Sequence, residues 1–175
     1  MKKPPFYLLI LGAVIMISQA TSHAEIKTVV ANTTAYIAPL LELAISETGQ
    51  SELRFGNIQP SAIDATQVGP IAILIEVKSN TGDRYQITQT INSALVNAEG
   101  DQMSLDQLKF KTTSSKLKGS TIDSPMPVSA SSQIIYTSDV EGASDTISAE
   151  YTLTVPASQA PGDYSALLTY TVSSS

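Results

Sequence analysis

The side chains that carry most enzyme chemistry are scarce in this chain. It has no cysteine and no tryptophan, and its single histidine is His23. Thiol nucleophiles, disulfides and cysteine-ligated metals are therefore excluded. His23 falls in a segment read below as an export signal, so histidine-ligated metals and Ser-His-Asp triads are excluded with it. Carboxylates remain. Asp139, Glu141 and Asp145 surround Gly142, a composition that suits a calcium ion. The spacing departs from the EF-hand loop, and acids with glycine also build ordinary solvated turns, which is the favoured reading. Glu42, Asp64, Glu76 and Asp163 lie near predicted strand ends. Nothing singles out two of them as the paired acids of a glycosidase. Tyr85, Tyr151, Tyr164 and Tyr170 fall on apolar strand faces and read as core, leaving little for a sugar-stacking platform. The chain is expected to be non-catalytic and to need no cofactor or metal.

One basic cluster stands out, Lys109 and Lys111 followed by Lys116 and Lys118. An anionic polymer could bind there, but lysines also guard exposed strand edges against unwanted pairing, and that reading is favoured. Of 175 residues, 10 are basic and 16 acidic. This acidic balance makes nucleic acid a poor partner.

Met1–Ala24 has the form of a signal peptide. Lys2 and Lys3 precede an apolar run from Phe6 to Ile17, which is shorter than the ~20 residues a membrane-spanning helix needs. Ser22 and Ala24 place small residues where a signal peptidase reads. Cleavage after Ala24 leaves 151 residues with 8 basic and 16 acidic side chains, a net charge of −8. No second apolar stretch has membrane length. The expected location is the periplasm or cell surface of a bacterium, and a fold without disulfides there must rely on its core. Residues 25–175 are expected to form one domain, a length sufficient for a sizeable core.

The elements that would position any site are strands. Ser and Thr supply 38 of the 151 residues after Ala24, and Thr, Val, Ile and Tyr favour pleated, half-buried surfaces. From Ile147 to Val155 every odd position is apolar and every even one polar, the period-two pattern of a strand with one buried face. Tyr164, Ala166, Leu168, Tyr170 and Val172 repeat it. Ile71, Ile73, Ile75 and Val77 alternate along one strand and Tyr85, Ile87 and Gln89 along the next. Asn80–Asp83 lies between them as a Gly-containing turn, which predicts a hairpin over Pro70–Thr90. Weaker strands are predicted at Ile26–Ala31, Leu40–Ile45, Leu53–Ile58, Leu108–Lys111 and Gln133–Thr137, with one helical turn within Asp101–Leu108. Seven or eight short strands separated by turns describe an all-β sandwich or small barrel.

Two stretches carry a resemblance. The front comprises Leu53–Pro60 with its Phe55-Gly56 pair, the strand Pro70–Lys78, and the Gly82 turn into Tyr85 and Ile87. The back runs from Tyr151 to Pro156 and from Gln159 through Pro161, Gly162 and Tyr164 to Val172. Together they resemble the spore coat protein U-like subunits of chaperone-usher fimbriae. The resemblance implies an immunoglobulin-like antiparallel β-sandwich of about seven to eight strands, left incomplete and assembled with a periplasmic chaperone and an usher. It implies that an N-terminal extension of one subunit completes the next copy or a sibling subunit by strand addition. The donor would lie within residues 25–36, with Ile26, Thr28 and Val30 on one face. Tyr164, Ala166, Leu168 and Tyr170 would line the acceptor edge. The same segments also resemble the WxL-type surface domains of Gram-positive bacteria, which bind the cell wall non-covalently, although their tryptophan motifs have no counterpart here. That family implies a self-contained surface domain closed by its own N-terminal strand.

Overall fold

A computed structural model describes residues 35–45, 53, 55–59 and 63–175. The predicted signal peptide, the predicted strand Ile26–Ala31 and the donor residues Ile26, Thr28 and Val30 lie outside the described residues. Eleven strands are formed among those described: β1 (Leu41–Ile45), β2 (Thr66–Ser79), β3 (Tyr85–Ile91), β4 (Leu95–Val96), β5 (Gln102–Met103), β6 (Leu108–Ser114), β7 (Ser120–Thr121), β8 (Met126–Pro127), β9 (Gln133–Thr137), β10 (Asp145–Val155) and β11 (Leu168–Ser174). Seven of them are five residues or longer. The helical turn expected near residue 105 is a 3-10 turn at Leu105–Gln107, where the Ser104 hydroxyl accepts from the Asp106 N–H.

The strands form two packed antiparallel sheets and a small β4-β5 ladder. The first sheet runs β1-β2-β10-β6-β8 and the second β11-β3-β9-β7. The order β1-β2-β10-β6 is that of strands A, B, E and D in an immunoglobulin sandwich, and β3 and β11 take the places of C and F. Alternation fills the space between the sheets. Along β10, Ile147, Ala149, Tyr151, Leu153 and Val155 are buried, and β2 and β3 add Ile73, Ile75, Val77, Tyr85, Ile87 and Ile91.

Two expectations need correction. The strands of the Pro70–Thr90 pair exist, but they are not a hairpin: β2 pairs with β1 and β10, and β3 with β11 and β9. Period two reveals which face of a strand is buried and says nothing about its neighbour, so the pattern fits either arrangement. The residues between β2 and β3 instead step from one sheet to the other, across the ~10 Å that separates packed sheets. Asn80 anchors that step from outside. Its side-chain oxygen accepts from Leu40 N at 2.6 Å, and its amide donates to Ala38 O at 3.0 Å.

The predicted strand at Leu53–Ile58 is also absent among its described residues. Leu53, Phe55 and Ile58 pack against the core, but Gly56 takes φ +69° and breaks the extended run. Gly69 has a different use. It bends β2 at φ +109° beside a register shift against β10, and a Cβ there would lie 2.7 Å from the Tyr151 carbonyl oxygen. The bend is a β-bulge that only glycine fits.

Candidate functional site

The acids singled out by the sequence lie apart from one another. Among the described residues no group of three or more Asp, Glu or His side chains is placed to hold a metal ion. Glu42 and Glu76 lie on β1 and β2, with Glu42 in register opposite Lys78 and Glu76 opposite Ala44. Asp64 and Asp163 are exposed elsewhere. The Asp139–Asp145 loop diverges as well. Asp139 meets Lys118 at 3.6 Å, whereas Asp145 turns into the interior.

There Asp145 accepts from the Ser114 hydroxyl at 2.5 Å, the Ser115 hydroxyl at 2.8 Å, the Tyr136 hydroxyl at 2.8 Å and the Thr146 N–H at 2.7 Å. Burial alone would raise its pKa. The hydrogen bonds from Ser114, Ser115, Tyr136 and Thr146 outweigh it and hold the carboxyl below its usual range. Tyr136 stands on the second sheet and Asp145 on the first, so this is a polar tie between layers. A second tie is the Thr112 hydroxyl donating to Ile135 O at 2.8 Å. The basic cluster is partly neutralised in its turn: Lys111 pairs with Glu150 at 3.0 Å, and Lys116 donates to the Ser144 carbonyl.

The distinctive feature is an asymmetry between the two flanks of the sandwich. One flank is closed. Residues 120–128 cross from the second sheet, where β7 pairs with β9, to the first, where β8 pairs with β6. Thr112 N donates to Ile122 O and Val128 N to Leu108 O along the way. At the other flank β1 ends the first sheet and β11 ends the second, and the two strands meet without pairing. Among the described residues β11 has no ladder partner except β3. In an immunoglobulin sandwich the place beside strand F belongs to strand G, and no described strand takes it.

Side-chain burial follows this asymmetry. The inward residues of β3 and β10 are fully buried, whereas Leu41, Leu43 and Ile45 of β1 and Leu168, Tyr170 and Val172 of β11 are only half-buried. Among the described residues this flank is therefore a half-covered apolar cleft, bounded by two strand edges that approach each other. Of the four predicted acceptor residues, Leu168 and Tyr170 lie on β11 facing this cleft. Tyr164 and Ala166 precede the strand. Between them Ser165 exchanges backbone hydrogen bonds with Val96 of β4, at 3.1 and 3.2 Å, which draws this stretch away from β3. Tyr164 is half-buried, donates to Ala160 O at 2.8 Å and receives the Gln159 amide at 2.7 Å, while Ala166 is exposed.

At the centre of β11 the cleft turns polar. The Tyr151 hydroxyl donates to Gln89 Oε1 at 2.6 Å and meets the Tyr170 hydroxyl at 2.6 Å. Gln89 stands on β3 in register with Tyr170 and is 1% exposed. Burial pushes both hydroxyls up, Tyr170 to about 12 and Tyr151 beyond it, so both stay protonated at physiological pH. The alternation of Tyr85, Ile87 and Gln89 along this strand already puts the glutamine on the inward face, and what the pattern does not reveal is its tyrosine partner.

No protein-family model matches the chain, and no curated protein does. Among solved structures it is similar to a chain of a chaperone-usher pilus, at 13% identity and TM-score 0.44, covering 90% of this chain and 100% of that one. It is also similar to a family 123 glycoside hydrolase from Clostridium perfringens, at 18% identity and TM-score 0.35, over 59% of this chain. The chain spans 18% of the hydrolase's length. At these levels of superposition neither likeness bears on what the chain does.

Proposed function

We propose that this chain is an exported, non-catalytic structural subunit of a bacterial surface assembly, joined to its neighbours by β-strand complementation. The observation that carries this reading is the open flank. A strand laid along β11 would find a hydrogen-bonding edge with no ladder partner among the described residues, and half-buried apolar side chains of β1 and β11 beside it. Backbone bonds along the edge would supply affinity, and side chains at alternate positions would enter the cleft. The segment read as donor is 25–36 of a second copy or a sibling subunit, with Ile26, Thr28 and Val30 directed inward. A periplasmic chaperone would shelter the cleft before assembly. Among the described residues no helix is long and apolar enough to cross a membrane.

The test is the size distribution of the protein recovered from the periplasm, on a denaturing gel with and without boiling. A ladder of multimers that collapses on heating is expected. A single monomer band before boiling, with a sharp monomeric peak in solution, would overturn the reading and indicate a sandwich closed by its own N-terminal strand.

A further inference from the structure

The polar centre of the cleft fixes more than the existence of a donor. It bears on which residue of the donor lies where, and this argument rests on the strand-complementation reading above. Tyr151 has one hydroxyl proton and gives it to Gln89 Oε1. The proton in the 2.6 Å contact between Tyr151 and Tyr170 must then come from Tyr170. The hydrogen bonds therefore run in one direction, from Tyr170 to Tyr151 to Gln89. The far end of this relay is also matched in kind: the Gln89 amide nitrogen is buried without a partner, and its register partner Gln133 carries a buried, unpartnered Oε1. At the near end the Tyr170 oxygen keeps its acceptor capacity, half-buried at the mouth of the cleft, and receives no donor among the described residues.

Along β11 the cleft thus reads apolar, acceptor, apolar at Leu168, Tyr170 and Val172. The inward face of the donor segment reads Ile26, Thr28 and Val30: apolar, hydroxyl donor, apolar at the same two-residue spacing. We infer that the Thr28 hydroxyl of an incoming copy donates to the Tyr170 oxygen and sets the register of the joint. With Thr28 opposite Tyr170, Ile26 and Val30 fall against Leu168 and Val172 whichever way the donor runs. A slip by two residues in either direction keeps the correct face inward but presses Ile26 or Val30 onto the hydroxyl. Either slip moves Thr28 off the Tyr170 oxygen, so this hydroxyl contact is made in one register alone.

The experiment uses the full exported chain and follows the rate at which its multimers dissociate at a fixed temperature. Thr28→Val removes the donor at nearly constant volume, and dissociation is expected to be about tenfold faster. Thr28→Ser keeps the hydroxyl and should dissociate within about twofold of the parent. In a Tyr170→Phe background, Thr28→Val should make no further difference. If Tyr170→Phe prevents folding, the contrast between Thr28→Val and Thr28→Ser still decides. Multimers in which Thr28→Val dissociates no faster than the parent overturn the register assignment while leaving strand complementation in place. Absence of multimers from the unsubstituted chain overturns complementation itself.

Discussion

Replacing Asp145 tests whether a polar tie holds the two sheets together. Four donors converge on its carboxylate, and they do not suffer equally from its removal. The Ser115 hydroxyl and the Thr146 N–H are in part-buried bonds and can turn to water. Tyr136 already lies 3.1 Å from Lys118 O and can give its proton there instead. Ser114, buried beside Asp145, has no such second acceptor. One stranded buried hydroxyl costs about 1–3 kcal/mol, and hydrogen bonds to a charged acceptor are the stronger class. Asp145→Ala should therefore cost about 2–4 kcal/mol, and Asp145→Asn, which keeps one acceptor oxygen, about half as much.

The assay is urea unfolding followed by circular dichroism at pH 7 and pH 3. With a urea slope of about 2 kcal/mol per molar, the midpoint for Asp145→Ala should fall by about 1–2 M at pH 7. The pH arm has a definite sign. The folded-state pKa of Asp145 lies below its unfolded value of about 3.9, so between the two the unfolded chain binds more protons. The contribution is whole above about pH 4 and is lost as pH falls through the folded value. The gap between the parent and Asp145→Asn should then narrow at pH 3. An alanine variant within about 0.5 kcal/mol of the parent at pH 7, the range of an ordinary surface substitution, would refute the tie. A gap of equal size at both pH values would refute the role of the charge.

The asymmetry of the flanks makes a matched pair of core substitutions informative. Ile87→Ala, at a fully buried position of β3, should cost about 2–5 kcal/mol in the monomer, whereas Leu168→Ala, half-buried at the cleft, should cost less than half of that. In multimers the Leu168→Ala penalty should rise toward the Ile87→Ala value, and equal penalties in a verified monomer would mean that the cleft is already filled. Gly69→Ala should lower the thermal midpoint by several degrees, because φ +109° and a carbonyl 2.7 Å from the new Cβ both resist it; an unchanged midpoint would show that the bulge relaxes freely.

Much of the fold can be read from alternation because each strand has one wet face and one dry one. Ile147–Val155 announces β10 almost residue by residue, and Gln133–Thr137 matches β9 in full. What alternation cannot supply is the neighbour of each strand. The turn around Gly82 suggested a hairpin, yet the chain leaves the first sheet there and enters the second. The same limit applies to the site. Leu168 and Tyr170 were legible as an inward face, but Tyr164 and Ala166 share their phase and are held away by a backbone bridge from Ser165 to Val96, which no periodicity records. The relay through Gln89 depends on residues far apart in the chain coming within hydrogen-bonding distance, a property of strand order and not of any local pattern.

That strand order also sets a clock. Among the seven longer strands only β1 and β2 are both chain neighbours and ladder partners. Ile75 of β2 waits for Ile147, and Ile87 of β3 waits for Val172. The entropy of closing these long loops must be met before any ladder rewards it, and folds of this kind form in roughly milliseconds to seconds, where helical bundles take microseconds to milliseconds. A chain emerging from the ribosome can therefore pair β1 with β2 early, but it has β3 long before the partners of β3 exist. It stays threadable during that interval, and the delay comes from connectivity, so no single substitution in β2 or β3 would abolish it. Refolding followed by stopped-flow tyrosine fluorescence would expose the delay directly, and full recovery of signal within microseconds would contradict it.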